Sequence, residues 1–199
     1  MIYLDSAATT LQKPTSVCRA VEAAMLSCGN PGRSGHRAAM QAARIVYECR
    51  EEAADLFGVS EPERIVFTLN ATHALNMAIR TLVGTGERVV ISGFEHNAVV
   101  RPLHALGAEV HAAGRRLFDP EDTLAAFERE ITPDTAAVVC TQVSNVFGYV
   151  LPVEELAALC RARGVPLIVD ASQAAGILPV RLKSLGAAFI AMPGHKGLY

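Results

Sequence analysis

The run Ala187-Ala-Phe-Ile-Ala-Met192, continued by Pro193-Gly-His-Lys-Gly-Leu-Tyr199, places a lysine in a glycine-flanked turn directly after an apolar, strand-like segment. Glycines on both sides let the backbone bend closely around a bound group. An amine released from a buried strand end loses enough hydration to act as a nucleophile or to form a Schiff base. Gly-His-Lys-Gly by itself also describes a solvated turn, so the meaning of Lys196 depends on what the preceding strands carry.

Upstream of that turn, helical periodicity alternates with compact β-branched runs, the pattern a parallel α/β sheet requires. Strands are predicted at Arg64–Thr68, Arg88–Ser92, Glu109–Ala112, Ala136–Thr141, Pro166–Asp170 and Ala187–Met192. Helices are predicted at Thr15–Leu26, Ala38–Phe57, Ala74–Val83, Val99–Leu106, Thr123–Glu130 and Val153–Arg163, with a loop at Gly29-Asn-Pro-Gly-Arg-Ser-Gly35. Several strands are apolar throughout, as expected where helices cover both faces. The reading is one sheet-centred domain over residues 1–199, with 1–14 an N-terminal segment and a mostly parallel sheet sandwiched by helices. Ligands of such sheets collect at the carboxyl ends of the strands.

The chain has 199 residues, 51% of them hydrophobic and 19% charged, which describes a globular protein. A net charge of −2 gives no electrostatic footprint for nucleic acid or an anionic membrane, and points instead to small-molecule chemistry. Five cysteines, Cys18, Cys28, Cys49, Cys140 and Cys160, never form Cys-x-x-Cys, which argues against a disulfide framework and a zinc knuckle. They are expected to be small buried hydrophobes. No metal site is expected. With no signal sequence and no apolar run near the ~20 residues of a membrane span, the expected location is cytoplasmic.

The strand ends carry a consistent set of functions. Asn70-Ala-Thr72 opens a helix whose first amides and dipole favour an anion, with the Thr72 hydroxyl as a further donor. Asn70 or Thr72 serving simply as a cap is the alternative. His96 follows the next strand and offers a ring that can stack on a flat cofactor and move protons; capping a helix start is its structural alternative. Asn145 can donate to a ring oxygen or serve as a turn residue. Asp170 leaves a buried apolar strand, where a carboxylate is costly unless paired, for example with a protonated pyridine nitrogen. Neither Gly-x-Gly-x-x-Gly nor a Walker-type Gly-Lys-Ser/Thr is present. An anion site, a stacking ring, a ring-oxygen donor, an acid for a ring nitrogen and a lysine for an aldehyde are together the needs of pyridoxal phosphate.

Seven blocks carry a family resemblance. They are Tyr3-Leu-Asp-Ser-Ala-Ala-Thr-Thr10, Gly29-Asn-Pro-Gly-Arg-Ser-Gly-His36, Phe67-Thr-Leu-Asn-Ala-Thr72, Glu95-His-Asn-Ala-Val99, Ser144-Asn-Val-Phe-Gly148, Val169-Asp-Ala-Ser-Gln173 and Gly194-His-Lys196. Over essentially its whole length the chain resembles the class V aminotransferase superfamily, in its cysteine desulfurase and selenocysteine lyase branch. The resemblance implies the large domain of a fold-type I pyridoxal 5'-phosphate enzyme. In it Lys196 would carry the Schiff base and act as the catalytic base, His96 would stack over the ring and share in catalysis, and Asp170 would pair with the pyridine nitrogen. Gln173 would contact the ring hydroxyl and Asn145 the ring oxygen or substrate, while Ala71, Thr72 and His195 would hold the phosphate. The implied reaction takes L-cysteine to L-alanine and enzyme-bound sulfur; a sulfur-acceptor protein and a homodimer of the full-length form are the implied partners.

His73, Ser6 and Pro193 depart from residues usual in such relatives. The relatives also continue for about 150–200 residues with a substrate-binding arginine, a mobile catalytic cysteine and a small domain. The chain is therefore expected to be truncated after the Schiff-base lysine, poorly active alone, and exposed at the strand edge beside Ala187–Met192. Two alternatives stay open: another class V enzyme (selenocysteine lyase, aminotransferase, epimerase or kynureninase-like hydrolase), or a non-catalytic binding or assembly module.

Overall fold

A computed structural model describes residues 2–199. The chain forms two compact units, one running up to Phe67 and including Tyr199, the other spanning Thr68–Leu198.

The first unit contains helices α1 (Thr15–Ser27) and α2 (Arg37–Phe57) and a 3-10 turn at Pro62–Arg64. His36 starts α2, its Nδ1 accepting the Ala39 N–H at 3.3 Å, and Gly58 ends it in a left-handed conformation that glycine adopts without strain. Ala39, Ala42, Ala54 and Phe57 are its buried residues, whereas α1 has none. The predicted strand at Arg64–Thr68 is not formed. After the 3-10 turn the backbone is extended, but it finds no ladder partner among the described residues, and Val66 and Phe67 are exposed. β-branched residues favour an extended chain; only a neighbouring strand makes it a sheet.

The second unit runs α3 (Ala71–Leu82), β1 (Arg88–Ser92), α4 (Asn97–Leu106), β2 (Glu109–Ala113), α5 (Pro120–Glu130), β3 (Thr135–Thr141), α6 (Val153–Arg163), β4 (Leu167–Asp170), α7 (Leu182–Leu185) and β5 (Phe189–Ala191). The strands form one sheet in the order β2-β1-β3-β4-β5, with every neighbouring pair parallel. Five predicted strands are present, the last trimmed to Phe189–Ala191; β5 lies at the sheet edge with Phe189 partly exposed.

Alternation along the strands sends two apolar sets to opposite faces. Val89, Ile91, Val139 and Ile168 join Leu75 and Ile79 of α3 and Val99 and Leu103 of α4 in one core cluster. Val90, Val138, Cys140 and Val169 alternate with them and are as fully buried. Burying each such side chain contributes about 1.5–3 kcal/mol, and double-faced burial explains why these strands read as unbroken apolar runs.

The strand order fixes where a ligand can sit. The chain leaves β1 for β2 on one side, then returns past β1 to β3 on the other. Connections diverging from adjacent carboxyl ends open a crevice at the β1/β3 boundary.

Candidate active site

α3 begins at Ala71, three residues before the predicted start, which places Ala71 and Thr72 in its first turn. Asn70 is extended (φ −171°, ψ 174°), and its side chain accepts the His73 N–H at 2.8 Å. Asn70 therefore is the cap, while the helix itself gives no partners to the first-turn amides of Ala71 and Thr72. His73, in turn, accepts the Leu69 N–H through Nδ1 at 3.4 Å.

β1 ends against a close backbone approach. A side chain at Gly93 would strike the Gly114 carbonyl oxygen, and the Gly93 N–H bonds Ala113 O at 3.0 Å. The loop then delivers His96, whose Nδ1 accepts the Ala98 N–H at 3.1 Å and so caps α4. With Nδ1 an acceptor, the ring proton resides on Nε2. His96 thus serves the structural role weighed for it and also faces the cavity described below.

Beyond β3, Ser144 N–H bonds Tyr149 O at 2.9 Å and Gly148 turns with φ 65°. Edge-to-face contacts of Phe94 with Phe147 and Tyr149 steady this turn, which carries Asn145. Asp170, at the end of β4, is 4% exposed. Its Oδ1 accepts the Ser172 N–H at 2.9 Å, so its charge is partly compensated by the backbone that follows.

Lys196 sits on a turn pressed against another turn. A side chain at Gly197 would meet the Ala175 carbonyl oxygen, and one at Gly176, where φ is 81°, would meet the Gly197 carbonyl oxygen. Only glycine permits this approach, which fixes the backbone from which Lys196 projects. Desolvation by burial draws the Lys196 ammonium below the ordinary lysine range, partly offset by the negative charge of Asp170.

These residues meet in one cleft, lined by Ala71, Thr72, His96, Asn145, Asp170, Gln173 and Lys196 among others. His195 is exposed and does not line it. Thr141, Ser172 and Pro193 do, and sequence reasoning did not single out the first two. Among the described residues, no group of three His, Cys, Asp or Glu side chains could hold a metal.

The donor set fits pyridoxal phosphate: helix amides with a threonine for an anion, a buried acid for a cationic ring nitrogen, an imidazole, and a partly desolvated amine for an aldehyde.

The thiols divide differently from expectation. Cys140 and Cys160 are buried and Cys28 is partly buried, but Cys18, on the uncovered helix α1, and Cys49 of α2 are exposed. Burial pushes the Cys140 thiol well above its usual range and the Cys160 thiol up to about 12.

Residues 2–199 match the family model described as aminotransferase class-V. The chain is 35% identical over 207 residues to the cysteine desulfurase IscS of Pectobacterium carotovorum subsp. carotovorum, covering 98% of this chain and 50% of that protein. It superimposes on the apo cysteine desulfurase of Thermococcus onnurineus NA1 with a TM-score of 0.87 at 31% identity, covering 98% of this chain and 50% of the other. For SspA in complex with cysteine the TM-score is 0.85 at 26% identity, with coverage of 98% and 57%. The chain spans about half the length of the curated relatives it matches.

Proposed function

From the premise that the chain belongs to the class V aminotransferase family, we propose that it is the cofactor-binding portion of a pyridoxal-phosphate-dependent cysteine desulfurase, acting on L-cysteine to give L-alanine and enzyme-bound sulfur. The observation that carries this reading is the shared cleft of Lys196 and Asp170, in which burial weakens the lysine's hold on its proton. When bound, the cofactor supplies an aldehyde for amines and a ring that accepts the electron pair left at a substrate carbon.

The chain's own residues supply the rest. The amides of Ala71 and Thr72, with the Thr72 hydroxyl, would hold the phosphate at the positive end of α3. Asp170 would hold the cofactor's ring nitrogen protonated, and Gln173 and Asn145 would bind its ring oxygen. His96, fixed by its cap bond at the cleft wall, would stack against the ring, with Nε2–H available to donate. Lys196 Nζ, in its neutral form, takes the proton from the substrate carbon.

The sulfur leaves to a nucleophile supplied from outside the Thr68–Leu198 unit, whose two cysteines are both buried and hard to ionise. A small amino acid is therefore the substrate class, with a sulfur-acceptor protein downstream and a second copy of the chain as partner in the longer form. No helix among the described residues is long and apolar enough to cross a membrane.

The test is to titrate the purified chain with pyridoxal phosphate while following absorbance, then reduce with borohydride and map the adduct by mass spectrometry. The expected result is a single adduct at Lys196, lost in Lys196→Ala. A folded chain that takes up no cofactor, or is labelled elsewhere, would retire the reading.

A further inference from the structure

The loop after β1 holds an acid that this reading leaves without a task. Glu95 Oε1 accepts from the Ser92 hydroxyl and from the Thr141 N–H, the latter at 2.6 Å. One carboxyl oxygen thereby joins the ends of β1 and β3 at the crevice where their connections diverge. The clamp reaches the cofactor floor in one further step. The neighbouring Gln142 N–H donates to Asp170 O at 2.9 Å, while the Thr141 hydroxyl donates to Val143 O at 3.0 Å and lies 3.4 Å from Asp170 O.

The second oxygen carries the argument. Although Glu95 as a residue is partly exposed, its Oε2 is sealed from solvent and has no hydrogen-bond partner. An ionised carboxylate there would leave a charged acceptor buried and unpaired, whereas a protonated one leaves only a neutral hydroxyl. The groups acting on it offer no compensating cation. They are the Ser92 hydroxyl and backbone amide of β1, the Thr141 amide of β3 and the Asp170 carboxyl of β4, with the Cys140 thiol of β3 lying in its field. Asp170 faces the cleft and Lys196, so it has an electrostatic partner that Glu95 lacks. Desolvation by burial pushes Glu95 up to about 8; hydrogen bonding from the Ser92 hydroxyl and from the Thr141 and Ser92 backbone opposes this, and the charge of Asp170 adds to it.

We propose that Glu95 is the positioning residue of the cofactor floor, a buried neutral acid that clamps the ends of β1 and β3 and leaves Asp170 as the single anionic carboxyl beneath the cleft. Loss of its proton leaves a charged oxygen buried and unpaired between β1 and β3 and beside the Asp170 carboxyl, which loosens the clamp and so weakens cofactor binding. The role rests on the cofactor reading above, but the protonation state can be measured without cofactor.

Two measurements separate them. In the cofactor-free chain labelled with 13C-glutamate, infrared difference spectra are expected to show a protonated carboxyl at pH 6.5 that disappears through about pH 8 and is missing from Glu95→Gln. Pyridoxal phosphate affinity is then measured between pH 6.5 and 9. Glu95→Gln is expected to match the parent within about threefold at pH 6.5 and to escape most of an about tenfold alkaline loss seen in the parent. Glu95→Asp keeps the acid but is too short for both strand ends, and is expected to bind more weakly at every pH.

Absence of the infrared band overturns the proposal. So does an alkaline loss that survives in Glu95→Gln, or a folded Glu95→Gln that binds poorly at pH 6.5. A parent chain that shows the band yet forms no adduct at Lys196 removes the cofactor reading, and the floor role with it.

Discussion

Lys196 and Asp170 act on each other in a way that can be read from the lysine alone. Burial lowers the ammonium's hold on its proton and the Asp170 charge restores part of it. Replacing Asp170 by Asn removes only the restoring influence, so the amine should lose its proton at still lower pH. Competitive acetylation of the cofactor-free chain, followed by mass spectrometry across pH, reports this directly. The expected half-point for Lys196 lies below that of an exposed lysine, and Asp170→Asn shifts it further down. An upward shift would mean that Asp170 does not act on the lysine across the cleft. The sequence made both residues visible, since an acid and an amine at the ends of apolar strands are costly unless used. Glu95 obeys the same logic, yet nothing local in the sequence marks its carboxyl as buried. Its burial depends on β3 lying beside β1, a fact of sheet order rather than of local sequence.

At the scale of elements, the turn bearing Lys196 is held by glycine contacts rather than by side chains. A methyl group at Gly197 would strike the Ala175 carbonyl oxygen and press on Ile177 at 2.9 Å. Gly197→Ala should therefore displace the turn at a cost of about 1–3 kcal/mol. The sheet itself should remain, because Ala191 still bonds Ala171 N–H at 2.9 Å before the turn begins. Far-ultraviolet circular dichroism close to that of the parent, with adduct formation at Lys196 reduced at least about tenfold, is the expected result; full adduct formation would show that the turn yields freely. The glycines were legible as permission to bend, but not the partner turn at Ala174–Ile177 that requires them. Strand reading succeeded for β1, β3 and β4, where both faces are buried and the apolar runs are nearly unbroken, and also for β2, an edge strand buried only at Ala113. It failed at Arg64–Thr68, where the residues are right but no partner strand is present.

Across the whole molecule, burial is unevenly distributed, and stability should follow it. β1, β3 and β4 lie inside the sheet with neighbours on both sides and apolar cover on both faces, and Val89, Val90, Val138, Val139, Ile168 and Val169 are fully buried. Their amides can exchange only when the Thr68–Leu198 unit opens as a whole. α1 is the opposite case: none of its residues is buried, and Met25 and Leu26 are 80% and 83% exposed. A helix of 13 residues without tertiary burial is marginal in water, since propagation barely repays nucleation at that length. The alternating pattern made the sheet and its helices legible, and α1 equally so as a helix; periodicity alone does not say whether an apolar face finds cover. Hydrogen exchange read by mass spectrometry should therefore rank the amides in two distant classes, with α1 exchanging within the earliest time points and β1, β3 and β4 last. Run at several protein concentrations, the same experiment has a second use. If α1 is protected as strongly as β3 and that protection grows with concentration, its apolar side is covered by another copy of the chain. If it is protected at every concentration, the chain covers α1 itself, contrary to the burial seen here.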